Sequence, residues 1–498
     1  MDRIVDYAVI AAYLLGVAIF GIISGGKQKS VHDYFLGGKR MPWWAVGFSI
    51  VASETSTLTF ISIPGIAYKS DMHFLQLVFG YFIGRIIVSL VFIPAYYRGE
   101  LETAYDFLGK RFSPFLRKFT SSVFIVTRVL ASGVRLFATS IPLHIITGWD
   151  YGTSILVIGG FTLVYTYVGG LRAVVAMDVV QLFIYLGGAA ISMYIILNKL
   201  PHGWEDVAVY AARNGANKFE ILNLRCGGGI IEFLSSPYTL VGGLLGGTFL
   251  SMASHGTDQL LVQRLLGCKS SRDGQKALLL DASFIVIQFL FFLVLGLCLF
   301  AFYNGSTFEQ LGLTSSDEIF PKFIIENLPA GVSGFVIAGV LASAMGSLSS
   351  SISSLASSTY LDLFIPLSKK EDIGERRGIL WSRFFTFLWG IVLICGAMLF
   401  LHTTSPVVEI GLRIASITYG GLLGTFFLGL FFDRTESFDA CLGFIAALGV
   451  MAAVLIFTSI DFTWHTVIGC AVSILVGNAS GLLRSASGNA PRNRTAHK

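Results

Sequence analysis

Within the apolar stretch 43–68, six consecutive residues read Ala52-Ser53-Glu54-Thr55-Ser56-Thr57. Ser and Thr side chains compete with the backbone for its hydrogen bonds, so such a run weakens a helix and permits unwinding. Unwound carbonyls are hard oxygen donors, the ligand class of a hard cation. A second stretch carries Arg128 and Arg135, seven positions apart and therefore on one helix face. A guanidinium in a dry pocket is a clamp for a carboxylate. The rival reading pairs each arginine with an acid, Glu54, Asp178 or Glu409. Asp178 itself lies between one and two turns past Arg172. A fourth stretch is serine-dense, Ser347-Leu348-Ser349-Ser350-Ser351-Ile352-Ser353-Ser354. It offers either oxygen ligands or small-residue packing, with each Ser bonded back to the preceding turn. Glu54, Ser56, Thr57, Thr59, Ser251 and Ser254 are candidate polar contacts for a solute, and Glu54 favours a cationic or polyhydroxylated one.

Enzymatic arrangements are not evident. The eight histidines (His255, beside Gly256, is a candidate to line a pocket) are dispersed without metal-ligand spacing. The glycine pairs within 242–247 lack the Lys-Ser/Thr of a phosphate loop. Six scattered cysteines show no C-x-x-C pattern and read as small packing residues.

The elements that must hold these residues are membrane helices. The chain has 498 residues, 54% hydrophobic and only 13% charged, with a mean hydropathy of +0.73. A soluble domain carries about 25% charged residues. That deficit excludes soluble enzymes, nucleic-acid binders and secreted disulfide scaffolds. Thirteen stretches meet the length of a bilayer crossing: about 7–24, 43–68, 73–97, 119–146, 151–168, 173–198, 235–254, 278–303, 331–362, 379–401, 407–431, 437–457 and 463–483. The first lacks a basic flank and a small-residue cleavage site, so it reads as an anchor helix.

Of the 35 basic residues, 24 fall in loops after odd-numbered spans and in the tail, and 7 fall on the opposite side. The positive-inside rule then places the N-terminus outside and the C-terminus in the cytoplasm, which requires an odd span count. The remaining four, Arg85, Arg128, Arg135 and Arg413, lie inside spans, as do Glu54 and Asp178. Asp281 and Glu409 lie nearer span ends. A charge at mid-membrane costs several kcal/mol unless paired or hydrated, so this set implies a polar interior site.

Several stretches resemble the solute:sodium symporter family. Gly169-Gly170-Leu171-Arg172 through Met177-Asp178-Val179-Val180-Gln181 is similar to its signature at the fifth core helix. Trp43-Trp44-Ala45-Val46-Gly47 through Ala52, with Pro64-Gly65 near the end, resembles its first core helix. Thr257-Asp258-Gln259 with Val262-Gln263-Arg264, and Met345–Ser350 with Asp362, resemble motifs at its sixth and eighth helices. The matches run in family order from residue 43 to 362.

The resemblance implies an all-α polytopic membrane protein of the leucine-transporter type. One transporter domain would hold an extra N-terminal helix (7–24), two inverted five-helix repeats (43–198 and 235–431), two C-terminal helices (437–483) and a cytoplasmic tail (484–498). One, five, five and two helices give the thirteen counted independently.

It also implies sodium as the co-transported ion. Carried over by position, Ala52, Thr55 and Ser343 would give carbonyl oxygens to one site, completed by Gly346 and Ser347. Glycine at 346 departs from the family's hydroxyl and removes one oxygen. A second sodium would take Asp178 with Ser347, Ser349 and Ser350. The solute pocket would lie between spans two, four, seven and eleven. Some members, sialic acid carriers among them, hold a substrate carboxylate with an arginine on the helix that carries Arg128 and Arg135, and Arg135 is favoured here. A sugar or polyol is the alternative. The aromatic and lysine of galactose-type members fall at Ser254 and Ile285, which weakens it.

The expected function is sodium-driven import of a small polar organic solute, a carboxylate or sialic-acid-like molecule, by alternating access. The chain is expected to be multi-pass in the cell membrane, with sodium, a small solute and the lipid bilayer as partners and no nucleic acid. Oligomeric state is left open. A polytopic membrane enzyme or a sensor is the reading from another class.

Overall fold

A computed structural model describes residues 4–212, 217–224, 229–236, 238–368, 374–401 and 407–487, without the side chains of 58, 142, 146 and 407–416. The side chains of Glu409 and Arg413 and the tail beyond 487 therefore lie outside the described residues. The regular structure among the described residues is helical apart from one isolated bridge between Met41 and Cys268. Among the described residues, nine helices are long and apolar enough to cross a membrane, or ten when one bent pair is taken as a single span.

The principal helices are α1 (Ile4–Gly25), α2 (Trp43–Glu54), α3 (Thr57–Lys69), α4 (Phe74–Arg98), α5 (Pro114–Thr147), α6 (Tyr151–Lys199) and α7 (Leu240–Gly256). They continue with α8 (Gln259–Leu266), α9 (Ser271–Phe302), α10 (Val332–Ser358), α11 (Glu375–Met398), α12 (Val407–Phe431), α13 (Ser437–Phe457) and α14 (Phe462–Ala486). The expected spans 151–168 and 173–198 both fall in α6, which runs for 49 residues and leaves helical geometry at Gly170 (φ 56°, ψ −156°). That conformation is open to glycine and strained for other residues. A Cβ there would also stand 2.7 Å from the Tyr34 carbonyl oxygen.

Small residues set how closely the helices approach, because lipid offers no hydrophobic drive between them. Along the α4–α7 seam a Cβ on Gly247 would meet the Leu77 carbonyl oxygen at 2.3 Å, and one on Gly84 would meet that of Thr248 at 2.5 Å. This backbone contact brings Arg85, the residue after Gly84, beside Ser251 and His255 of α7. At the centre stands α10, whose apolar core is 89% buried. It packs against α1, α5 and α6 and against both halves of the α2–α3 pair. Its serines therefore face protein.

Replacing Gly84 with Val forces α4 from α7. We expect a loss of about 1–3 kcal/mol from overpacking, read as a melting temperature several degrees below wild type in detergent. An unchanged melting temperature would mean that the seam is not close-packed.

Candidate functional site: a broken helix between a cation cradle and a charged cavity

The site begins where α2 stops. Ser53 Oγ donates to the Ser49 carbonyl at 2.6 Å and Thr55 Oγ1 to that of Val51 at 2.8 Å. Thr55 (φ −72°, ψ 90°) and Ser56 (φ −81°, ψ 167°) are then extended. The chain resumes as α3 after a 61° bend. Carbonyls of a helix's last turn have no intrahelical donor, so the break frees oxygens at Ala52 and Ser53. Ser347 Oγ of α10 donates to the Ser53 carbonyl at 3.2 Å.

Opposite the freed Ala52 carbonyl sits Gly346. A Cβ at Gly346 would lie 3.2 Å from Gln181 Oε1, 3.5 Å from the Ala52 carbonyl oxygen and 3.5 Å from Asp178 Oδ1. Three oxygens thus surround the space that a side chain would fill. Among the described residues neither Gln181 Oε1 nor Asp178 Oδ1 has a hydrogen-bond partner, although both residues are fully buried. Buried acceptors without a donor cost free energy unless a cation or water meets them. This donor set, a carboxylate, an amide oxygen and a carbonyl, suits sodium.

The other oxygen of Asp178 is saturated. Oδ2 accepts from Ser49 Oγ at 2.5 Å and Arg264 Nη2 at 3.1 Å, and Ser53 Oγ, its hydrogen given to the Ser49 carbonyl, lies 3.3 Å away. Arg264 also donates to Ser350 Oγ at 2.6 Å. Ser349 and Ser350 each bond back to the Gly346 carbonyl, at 3.0 and 2.6 Å. Ser343 Oγ shares a hydrogen bond with Thr57 Oγ1 at 3.1 Å, and Thr55 Oγ1 accepts from Gln288 Nε2 at 2.6 Å.

On the far side of the break lies a cavity of about 390 Å³, lined by α2–α3, α4, α5, α7, α8, α9 and α12, with single residues from α13 and α14. Ser53, Glu54, Thr55, Ser56 and Thr59 of the broken helix, Arg128 and Arg135, and Ser251 and Ser254 all reach it. Thr57 does not. The break resets the helical phase and turns Thr57 toward α10, where it bonds Val340 and Ser343.

The charges around this cavity are unequally committed. Arg128 is paired with Asp258 and bonded to Tyr419 Oη at 3.2 Å, and Tyr419 donates to the same carboxylate at 2.8 Å. Glu54 pairs with Arg85 and lies 3.0 Å from His255 Nε2. Arg85 Nε reaches Asp281 at 2.6 Å. Arg135 makes no ion pair or side-chain hydrogen bond among the described residues. Its side chain also reaches a pocket of about 10 Å³ shared with Ser56, Ser347 and Ser351.

Several of these groups are absent from the sequence-derived set. Gln181 is a polar residue one turn after Asp178, Arg264 stands inside a motif, and Asp258 occupies a second break, between α7 and α8 (Thr257 φ −128°, Asp258 ψ 122°). Each has a visible signal, a polar residue inside an apolar element. Which residue it meets has none, since the partner lies more than 80 residues away in all three contacts.

The profile described as the sodium:solute symporter family matches residues 34–447. A sodium/sialic acid symporter of Proteus mirabilis is 27% identical over 483 residues, covering 96% of this chain and 95% of the relative. One of Aliivibrio fischeri is 28% identical over 476 residues, covering 95% and 92%. The human sodium/iodide cotransporter is 27% identical and is covered over 70% of its length, by 92% of this chain. Among solved structures, a substrate-bound, outward-open sodium-coupled sialic acid symporter superposes with a TM-score of 0.86 at 26% identity, covering 96% of this chain and 98% of that one. A nucleobase-cation-symport-1 family transporter shares the fold at a TM-score of 0.53 and 13% identity, covering 93% of this chain and 96% of that one.

Asp258→Asn strands the buried Arg128 charge. Breaking such a pair costs about 3–5 kcal/mol, so thermal unfolding should fall sharply. Arg128→Met on that background should restore most of the loss. A single variant as stable as wild type would contradict the pairing.

Proposed function

The chain belongs to the sodium:solute symporter family, and from that premise we propose that its solute is a small carboxylate of the sialic-acid type. As a member it is a secondary active transporter of the cell membrane, in which the sodium gradient drives a small solute, and it is not an enzyme. The observation that carries the solute is the Arg135 guanidinium, which lines the cavity and has no carboxylate partner among the described residues. A guanidinium facing the cavity in this way attracts an anion, and a carboxylate meets its planar fork with two parallel bonds. Ser56, Thr59, Ser251 and Ser254 line the same space and offer hydroxyls to a polyol chain. Two relatives named for sialic acid point to the same class. With Arg128 committed to Asp258, Arg135 is the residue assigned to the carboxylate.

Sodium we assign to the cradle at Gly346. Asp178, Gln181 and the Ala52 carbonyl hold it, with Ser347, Ser349, Ser350, Ser343 and Thr55 around it. Glycine removes a hydroxyl but opens room for the Gln181 amide oxygen, so the ligand count is kept. Thirteen spans, with the N-terminus outside and the C-terminus in the cytoplasm, fit the 24-to-7 distribution of basic residues and the break of α6 at Gly170. Two inverted repeats, 43–198 and 235–431, fit the occurrence of a break in the first helix of each, at Thr55–Ser56 and at Thr257–Asp258.

The mechanism follows from the break. Sodium tied between Ala52 and α10 fixes the end of α2 and, through it, the cavity positions of Ser56 and Thr59. Solute on Arg135 tightens the same region through the pocket shared with Ser56 and Ser347. Each ligand thereby raises the other's affinity, and the loaded carrier rocks to the inward-facing state.

Arg135→Ala should weaken sialic acid uptake at least about thirtyfold, the equivalent of one lost charge-assisted contact of about 2 kcal/mol. The sodium-dependent thermal shift should survive. Unchanged uptake affinity would rule out the carboxylate assignment. Gln181→Leu should raise the sodium concentration needed for half-maximal thermal shift about tenfold, whereas no change would remove Gln181 from the site. Uptake into proteoliposomes should collapse without an inward sodium gradient, and uptake driven by protons alone would contradict the sodium assignment.

A further inference from the structure

Neither the sodium cradle nor Arg135 accounts for the cluster on the opposite cavity wall. Four ionisable side chains from four helices meet there: Glu54 of α2, Arg85 of α4, His255 of α7 and Asp281 of α9. Arg85 spans both carboxylates, through Nη2 to Glu54 and Nε to Asp281 at 2.6 Å. His255 Nε2 lies 3.0 Å from Glu54 Oε1 and 3.6 Å from Asp281 Oδ2. Arg85, His255 and Asp281 are fully buried, while Glu54 keeps 21% of its side chain exposed to the cavity.

The charges do not balance. Two carboxylates and one guanidinium leave one negative charge in the membrane interior unless something else carries a positive one. A net buried charge is costly. The ring of His255 is placed to carry the missing charge. Its Nδ1 lies 3.1 Å from the Ser251 carbonyl oxygen and 2.9 Å from Ser254 Oγ. Its Nε2 lies within ion-pair distance of both carboxylates. A neutral ring, with its hydrogen on either nitrogen, leaves the cluster one negative charge in excess, and a second proton brings it to neutrality.

We propose that His255 is a proton-binding site on the cavity wall, and that its occupancy sets the affinity for an anionic solute. The proton enters from the cavity past the exposed edge of Glu54. With it, the wall is neutral and Arg135 dominates the field. Without it, a negative charge faces the solute. The groups facing His255 are Glu54, Asp281, Arg85 and, beside Arg85, Tyr81. Asp258, three residues on, is committed to Arg128 and Tyr419, and α14 packs on α7 at Gly246, more than two turns away. The Glu54, His255 and Asp281 ligand atoms, all within 4.8 Å of one another, could also gather a divalent metal. A divalent ion would leave the cluster with a net positive charge beside Arg85, whereas a proton leaves none. Charge balance therefore favours the proton.

The sign of the effect rests on the carboxylate reading of the solute. The test is calorimetric titration of the purified chain with sialic acid at saturating sodium, from about pH 5 to pH 8, in two buffers of different ionisation enthalpy. Wild type should bind about tenfold more weakly at the alkaline end, the effect of one unit charge across a cavity of this size, and should take up protons with the solute. His255→Gln should hold the weak value at all pH. Asp281→Asn, which removes the surplus charge, should hold the tight value. Curves that coincide for wild type and both variants would overturn the proton site while leaving the Arg135 assignment standing. Proton uptake that persists while Arg135→Ala binds normally would overturn the carboxylate reading alone. Zinc that competes with the solute at fixed pH in wild type but not in His255→Gln would overturn the proton in favour of a metal.

Discussion

A charge inside a bilayer is tolerated only beside its opposite, and in this chain that condition decides which helices touch. Arg128 of α5 holds Asp258 at the α7–α8 break, Arg264 of α8 holds Asp178 of α6, and Arg85 of α4 holds Glu54 of α2 and Asp281 of α9. Each contact joins segments distant in sequence, and each surrounds the space where α2 gives way to α3. Removing one partner leaves a desolvated ion, so the pairs specify one arrangement of the bundle more than they add to its stability. Among the described residues they leave the Arg135 guanidinium without a carboxylate, and it faces the cavity.

On the proposed assignment, the break between α2 and α3 turns this frame into a coupled device. The Ala52 carbonyl lies at the cradle assigned to sodium, and the residues just beyond it, Ser56 and Thr59, line the cavity assigned to the solute. The same few residues form both walls, so ordering one side orders the other. No long pathway is needed, since the two sites share one segment of unwound backbone.

Much of this was legible in the sequence. The low charge fraction, the apolar spans and the unusual polar run at 52–57 led to a membrane transporter with a broken helix. The seven-residue spacing placed Arg128 and Arg135 on one face, but only the fold could separate them. Their fates differ because Asp258, 130 residues from Arg128, comes within reach of one and not the other. Thr57 read as a solute contact because its hydroxyl belongs to the polar run, but the helix restarts at this residue and turns it toward α10. Gly346 read as a missing ligand, because a sequence shows the lost hydroxyl and not the space into which Gln181 Oε1 turns. The order of the helices was visible, but the α4–α7 seam that joins Arg85 to His255 rests on glycines whose partners have no sequence signature.

The central claim is that sodium and solute meet across one broken helix, so that their binding energies are linked. It is tested most directly by titrating purified protein with sialic acid at a series of fixed sodium concentrations, and with sodium at fixed sialic acid, at one pH. The account predicts that solute affinity rises with sodium and that sodium affinity rises by the same factor with solute, as linkage requires. Solute affinity independent of sodium would contradict it.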